Sequence, residues 1–257
     1  MPLDYQIVIP TLDRPQNMKR ILALFPSAIV TVNQSDVDMF RRVVPAGQLL
    51  PHPDMRLIET RNWILDNVQA ECVLQFNDDV KSLRQLVGSR KRKTHRDPKL
   101  IQAVIENAIR CAKDLNAGVL CWSLTANSGL LKPHLRPFRA AAPCSAHAFG
   151  VLGAARDRRF STEFRGCGDF DFTLETLRQD RFLFCDVRWH FDCGGMSRGR
   201  GGQTGELAGR EFDSGQIALR RKWGKYVGKS KAKTAMKRNT WRDFSVNVQR
   251  TSPLSLS

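Results

Sequence analysis

The stretch that most constrains this chain is residues 72 to 80, Cys-Val-Leu-Gln-Phe-Asn-Asp-Asp-Val. A nearly continuous apolar run of strand length stops abruptly at an amide and two carboxylates. Such a run marks a parallel strand buried on both faces. In an open α/β sheet, ligands sit beyond the carboxyl ends of such strands. Asn77, Asp78 and Asp79 are therefore expected at the rim of a cleft, with a rigid strand behind them. Adjacent carboxylates repel unless a cation or hydrogen-bond donors offset their charge. Clustered oxygen ligands suit a hard divalent ion, Mg²⁺ or Mn²⁺, and such ions commonly also hold substrate phosphates. The competing reading of this stretch alone is a strand followed by a solvated acidic turn.

The rest of the chain alternates strand and helix patterns around that run. Tyr5 to Pro10 reads as a first buried strand, and Pro15 suits the first turn of the helix spanning Asn17 to Phe25. Ala28 to Val32 is a second strand ending at Asn33, Asp36 to Val44 a short helix, and Gln48 to Leu50 a third strand. Thr60 to Val68 is an amphipathic helix carrying Arg61 and Asn62. Val87 to Asp97 reads as an exposed basic loop, and Pro98 to Asn116 as a long helix. Strands follow at Gly118 to Leu124 and Ala148 to Leu152, separated by a loop from Asn127 to Pro143 rich in Gly, Pro, Arg and His. Long loops of this kind are more often functional than idle. Glu163 to Gly168 is a turn, Asp169 to Arg178 a helix, and Phe182 to Phe191 one last strand. A Gly-rich segment, Gly194 to Gly209, precedes a basic helix from Phe212 to Tyr226, and the tail after Ser230 is polar. Strands alternating with helices predict a mostly parallel sheet.

With 257 residues the chain is long enough for one large α/β domain. Leu3 to Pro10 is too short and polar for a signal peptide, and no apolar run approaches the roughly 20 residues that span a bilayer. The seven cysteines form no Cys-x-x-Cys pair and are odd in number, which speaks against a zinc site or a disulfide framework. Reduced thiols in a cytoplasmic protein fit best. The formal net charge is +16. Gly88 to Arg96 carries five Lys and Arg residues, and Ser214 to Arg242 carries ten with no acidic residue at all. A single basic run is usually a solvated face. Two of them on a chain this basic favour a polyanion, nucleic acid first. A membrane surface is the weaker option, because neither run has a strong apolar face.

Val8-Ile9-Pro10-Thr11, the helix with Arg61-Asn62, and Asn77-Asp78-Asp79 follow one another in an order that resembles the nucleotide-binding half of a GT-A glycosyltransferase. The likeness covers residues 5 to 195. Within that fold the chain is most similar to the phage TET-associated glycosyltransferases, which attach sugars to hydroxymethylated pyrimidines in DNA. Compact size, basic charge and the general look of the C-terminal part carry this finer likeness. The resemblance implies a GT-A-like three-layer α/β/α domain with a mostly parallel central sheet over residues 1–213. A basic C-terminal helix and polar tail, 214–257, would pack on it or extend from it. It implies a nucleotide-sugar donor (a UDP-sugar first), a divalent metal (Mn²⁺ or Mg²⁺), and inverting transfer to a hydroxyl. The acceptor would be 5-hydroxymethylcytosine or 5-hydroxymethyluracil in double- or single-stranded DNA. The setting would be the cytoplasm (the host's, for a phage protein), with no membrane and no obligate protein partner. Two rivals stay open: a GT-A transferase acting on protein, lipid or polysaccharide, and a non-catalytic nucleic-acid-binding module.

Residue roles follow from the same resemblance. Asp79 would be the direct metal ligand, and His190 a second one; the alternative for His190 is a hydrogen-bonded strand end. Asn77 stands where the family's Asp-x-Asp motif has its first Asp, and Asn77 or Asp78 would reach ribose or a metal-bound water. Gly166-Cys167-Gly168-Asp169-Phe170-Asp171 is similar to the segment that supplies the catalytic base, with Gly168 where the family often has Glu. Asp169 is the first candidate for that base and Asp171 the second; the alternative for Asp169 is a plain helix cap. Pro10, Thr11, Asp13 and Arg14 at the first strand end, Asn33 after the second, and Arg61 and Asn62 would serve the nucleotide. Arg198 and Arg200 in the Gly-rich loop would fold over the diphosphate. Trp122 and Trp223 are expected in the core.

Overall fold

The computed structural model describes residues 3–87, 91–125, 137–142, 144, 147–164, 166–193, 206–229 and 244–246. The first half runs β1 (Tyr5–Pro10), α1 (Met18–Leu24), β2 (Ile29–Asn33), α2 (Val37–Phe40), β3 (Leu49–His52), α3 (Leu57–Asn67) and β4 (Cys72–Phe76). Then come β5 (Ser82–Val87), β6 (Lys91–His95), α4 (Pro98–Asp114), β7 (Val119–Trp122), β8 (Phe138–Arg139), β9 (Ala148–Leu152) and α5 (Gly168–Asp180). The chain continues through β10 (Phe184–Asp186), β11 (Trp189–Asp192), α6 (Glu206–Trp223), β12 (Val227–Lys229) and β13 (Phe244–Val246).

The main sheet has the strand order β3-β2-β1-β4-β9-β7-β10-β8. The pairs β1–β2, β2–β3, β1–β4 and β7–β10 are parallel, while β9 runs antiparallel to both β4 and β7. Successive side chains along a strand point to opposite faces. Ile7 and Ile9 accordingly join one core with α1, α2 and α4, and Val8 joins the other with α3, α5 and α6. This is the expected three-layer α/β/α arrangement with a mostly parallel sheet.

Helix α4 shows how local chemistry sets an element. Asp97 caps it by accepting from the Lys99 N–H at 3.0 Å, Pro98 occupies the first turn, and Ile101, Ile105 and Ile109 form its buried stripe. Gly150 is required by packing. A Cβ there would come within 2.7 Å of Leu74 Cδ2 on β4 and 3.0 Å of Leu120 Cγ on β7.

Three sequence expectations are corrected. The basic segment from Val87 to Asp97 contains a strand. β6 pairs antiparallel with β5, and β5 pairs with β11, making a separate three-stranded sheet. Backbone pairing with β5 outweighs the charge that made the segment read as a loop. The stretch from Phe182 to Phe191 is two strands in different sheets. Asp186 folds the chain back at this point, accepting from the N–H of Arg188 at 3.0 Å and from its guanidinium. Helix α6 begins at Glu206, inside the Gly-rich segment and ahead of the start expected at Phe212. Within the polar tail, Phe244–Val246 pairs with Val227–Lys229. Of the loop from Asn127 to Pro143, residues 127–136 and 143 lie outside the described residues, and Phe138–Arg139 forms the sheet-edge strand β8. Trp122 and Trp223 are buried as expected, and all seven cysteines are free thiols. No described helix is long and apolar enough to cross a membrane.

One contact ties the helical layer to the sheet. The Arg156 guanidinium donates to the carbonyls of Leu65 (3.0 Å), Val68 (2.7 Å) and Ala70 (2.7 Å), which the end of α3 leaves unpaired. Arg156→Ala is expected to lose about 1.5–3 kcal/mol of stability, the range for hydrogen bonds made by a charged group. Urea unfolding measures this, and an unchanged midpoint would remove the contact from the fold's support.

Candidate functional site

The carboxyl ends of β1, β2, β3 and β4 meet at one rim of the sheet, and β9, being antiparallel, brings its amino end there too. Asn77, Asp78 and Asp79 leave β4 at this rim as expected, but their side chains have separate tasks. Asp78 is buried and locks the first loop. It accepts from Thr11 Oγ1 at 2.7 Å and from Arg14 Nη1 at 3.0 Å. Burial raises its pKa, against the opposing pull of Thr11 and Arg14. Pro10 is buried at the end of β1, and Asp13 follows it in the left-handed region, φ 56°.

Asn77 is the centre of a chain of polar contacts. Arg61 Nη2 donates to its Oδ1 at 3.3 Å, and its Nδ2 lies 3.3 Å from His147 Nδ1. Its backbone N–H donates to the His147 carbonyl at 3.0 Å. A guanidinium can only donate, so it fixes which end of the Asn77 amide is oxygen. Nδ2 is then a donor, and His147 Nδ1 must accept. The proton of this imidazole therefore sits on Nε2. Burial lowers the pKa of His147, with Asp79, His190, Arg61 and Asp192 also acting on it. His147 was missed in the sequence because nothing local marks it; only the antiparallel register of β9 against β4 brings it beside Asn77.

Arg61 is 6% exposed, and its guanidinium lies 5.3 Å from the Phe149 ring centroid and 5.5 Å from that of Phe160. Burial pulls its pKa down, and the charge of Asp169 opposes that shift. Asp169 is the second residue of α5, and its carboxylate meets its own N–H and that of Phe170 at the helix start. Burial nevertheless pushes its pKa up to about 6, despite Arg61 and those donors. Arg61 thus donates to Asn77 and acts electrostatically on Asp169. Asp171, the second candidate for the base, is engaged elsewhere. It is buried and accepts from Trp223 Nε1 at 2.7 Å and Lys222 Nζ at 2.9 Å, docking α6 on α5.

Asp79 differs from its neighbours. Its Oδ1 is buried and has no hydrogen-bond partner among the described residues. The Cys193 thiol beside it has a raised pKa, chiefly from burial and then from the charge of Asp79. His190 Nδ1 lies 2.7 Å from the Ser123 carbonyl, so that nitrogen carries the proton and Nε2 keeps its lone pair, 4.0 Å from Asp192 Oδ1. Burial lowers the His190 pKa. A metal-binding histidine commonly donates its other N–H to a carbonyl in this way. Among the described residues no group of three His, Cys, Asp or Glu side chains is placed to hold a metal alone. Ions that bridge a diphosphate need only one or two protein carboxylates, the phosphates and water completing the shell. An orphaned oxygen on Asp79, and a His190 whose Nε2 keeps its lone pair, have the chemistry that requirement asks for.

The remaining expected residues hold the walls. Asn33 Oδ1 accepts from the Met55 N–H at 3.1 Å. Asn62 straps Phe160, donating to its carbonyl at 2.9 Å and accepting from its N–H at 2.8 Å. Asp36, read from sequence only as a helix start, has a buried Oδ2 with no partner among the described residues, and its pKa is raised by burial and by Asp13 and Asp54. Arg198 and Arg200 lie outside the described residues.

No family model and no curated protein sequence matches the chain. Solved structures do resemble it. The mannosyltransferase PcManGT from Pyrobaculum calidifontis, in complex with GDP-Man and Mn²⁺, superposes with a TM-score of 0.54 at 12% identity, covering 86% of this chain and 65% of that one. The 1–349 fragment of TarS from S. aureus gives 0.42 at 12% identity, covering 72% of this chain and 60% of that one. Glucosyl-3-phosphoglycerate synthase from M. tuberculosis gives 0.48 at 13% identity, with 98% and 88% covered. The chain therefore spans less than two thirds of the first two. At such identities the likeness to the mannosyltransferase is one of fold, and the fold is of the GT-A type.

The Asn77 link gives a direct test. An aspartate can only accept, so Asn77→Asp requires a proton on His147 Nδ1. The ¹⁵N spectrum of the His147 ring is expected to change from the Nε2–H form to an Nδ1-protonated form, assigned by its loss in His147→Gln. The same ring signal in both proteins would refute the assigned tautomer.

Proposed function

We propose that this chain is a metal-assisted glycosyltransferase, moving a sugar from a nucleotide-sugar donor to a hydroxyl with inversion. The observation that carries the reading is the position of Arg61. One buried guanidinium donates to the strand-end Asn77, two residues before Asp79, and its charge acts on the carboxylate Asp169 at the start of α5. Donor-side and base-side groups are thereby held in one electrostatic unit. The fold shared with a mannosyltransferase that binds GDP-Man and Mn²⁺ supports the same reading.

In this mechanism the nucleoside lies over the ends of β1 to β3, with Thr11, Asp13, Arg14, Asn33 and Asp36 around it. Asp79 and His190 would hold a divalent ion, which when bound offsets charge on the leaving diphosphate. Asp169 takes the proton of the acceptor hydroxyl as its oxygen bonds to the anomeric carbon. The bond from that carbon to the diphosphate breaks, and the diphosphate leaves with the electron pair. Arg61 stabilises the ionised form of Asp169. Asp171 has a structural part, since its carboxylate is held by Lys222 and Trp223.

The acceptor in this proposal is a hydroxymethylated pyrimidine in DNA. Net charge +16 and two basic runs support a polyanionic acceptor over a neutral glycan. Incubating the protein with a panel of nucleotide sugars, Mn²⁺ or Mg²⁺, and plain or hydroxymethylated DNA tests both halves. Mass spectrometry of the nucleosides is expected to show a hexose or related sugar on the modified base only. Turnover of a donor onto a polysaccharide, lipid or protein, with none onto DNA, would move the acceptor to another class. No donor turnover under any condition would leave a binding module.

Two further outcomes follow. Asp79→Ala, or a chelator added to the unchanged protein, is expected to abolish turnover; full activity in either would remove the metal. A base must be ionised, so the rate should rise with pH through about 6, the value to which burial pushes Asp169. Asp169→Asn should erase that limb and slow turnover by about 10²–10⁴ while donor affinity stays near its original value. An Asp171→Asn protein that is dead beside an active Asp169→Asn protein would reverse the two assignments.

A further inference from the structure

The strand β6 has no counterpart in the mechanism above. It is the outer strand of the sheet β11-β5-β6, so one edge of its backbone is unpaired within that sheet. Lys91, Arg92, Lys93 and Thr94 are all exposed. Lys91, Arg92 and Lys93 make no side-chain hydrogen bond or ion pair among the described residues. Other exposed cations do: Arg159 pairs with Asp66, Lys113 with Glu71, and Arg41 with Asp38. Natural edge strands often carry charge to prevent pairing with another chain. Three consecutive cations without one intervening acid exceed that need.

Register places the strand beside the site. Thr94 lies opposite Arg84, and Arg84 opposite His190. Directly opposed residues share a face, and Arg92, two residues from Thr94, shares it too. Arg84 and Arg92 both act on His190, lowering its pKa after burial has done so. Lys91 and Lys93 point to the other face. The edge therefore offers cations to both sides, with residues i and i+2 spaced about 6.6–6.8 Å as in any extended strand, and N–H groups unpaired within that sheet between them. A single extended row of negative charges fits such an edge better than a compact anion does.

We propose that the edge of β6 binds the sugar–phosphate backbone of the acceptor DNA and leads it past His190 to the catalytic groups. This rests on the acceptor reading given above. Lys and Arg at phosphates position a nucleic acid without reading its sequence, so the edge sets where the modified base presents itself.

The test compares the unchanged protein with a triple variant, Lys91→Gln, Arg92→Gln and Lys93→Gln. A second triple variant, Arg42→Gln, Lys99→Gln and Arg110→Gln, removes the same charge from exposed positions at α2 and α4. The probe is a fluorescent duplex carrying one 5-hydroxymethylpyrimidine, titrated over a range of salt. Thermal melting and nucleotide-sugar affinity report an intact fold and donor site. Each phosphate contact contributes about 0.9 to the slope of log affinity against log salt. The β6 variant is expected to lose roughly 2.7 from that slope, and the control triple much less. Steep salt dependence that survives intact in the β6 variant would place the DNA elsewhere and overturn the proposal, leaving the acceptor reading standing. Equal losses in both triples would reduce β6 to a share of the general field and overturn it as well. Failure of the unchanged protein to bind the duplex would sink the acceptor reading, and this proposal with it.

Discussion

A positive charge sealed under two aromatic rings governs this structure. Arg61 is removed from water, and a buried ion is tolerated only when partners satisfy it; taking away one partner of such a pair costs about 3–5 kcal/mol. Its neighbours are therefore constrained as a group. Asp169 supplies the opposing charge, Asn77 an oxygen, and Phe149 and Phe160 the faces. This accounts for an amide at position 77. A carboxylate there would compete with Asp169 for one guanidinium and would crowd two further negative charges at 78 and 79. The neutral amide accepts from Arg61 and still donates to His147, which no carboxylate can do.

Beneath the polar rim lies a block of aromatic rings. Phe76 contacts Phe25 (4.7 Å between centroids), Phe191 (4.8 Å) and Trp122 (5.7 Å), and Trp122 contacts Phe191 at 4.9 Å. Three of the four rings adjoin a residue of the candidate site in sequence: Phe76 leads into Asn77, Trp122 into Ser123, and Phe191 follows His190. Tightly packed interiors respond poorly to deformation. The block consequently fixes three backbone exits from two different sheets, and side chains on those exits inherit its stiffness.

The fold and the position of the candidate site's acidic rim were legible in the sequence because both depend on short-range pattern. Continuous apolar runs ending in polar residues located β1, β2, β4 and β9, and the acidic stop of β4 located the rim. What stayed hidden depends on register. His147 is an ordinary residue in an ordinary segment until β9 pairs against β4. The hold of Lys222 and Trp223 from α6 on Asp171, the second candidate for the base, is a tertiary contact that no local pattern marks. The basic segment around Lys91 reads as a loop by composition and is a strand by pairing. Asp78 and Asp79 are neighbours with opposite fates, one bonded twice and one with a bare oxygen, and no pattern of residue types distinguishes them.

The antiparallel placement of β9 also sets the order in which the molecule can be assembled. β1 to β4 lie close in sequence and pair with one another, but the partner that flanks β4 on its other side begins at Ala148, and β7 can join the sheet only through it. Contacts so distant along the chain carry a loop-closure penalty and form late. During synthesis the nucleotide-side strands can therefore collapse while Asn77 still lacks His147 and Arg61 still lacks Asp169. The buried guanidinium finds its counter-charge only after residues beyond 169 have emerged, so the same interaction that organises the finished site withholds its full stabilisation until most of the chain has been made.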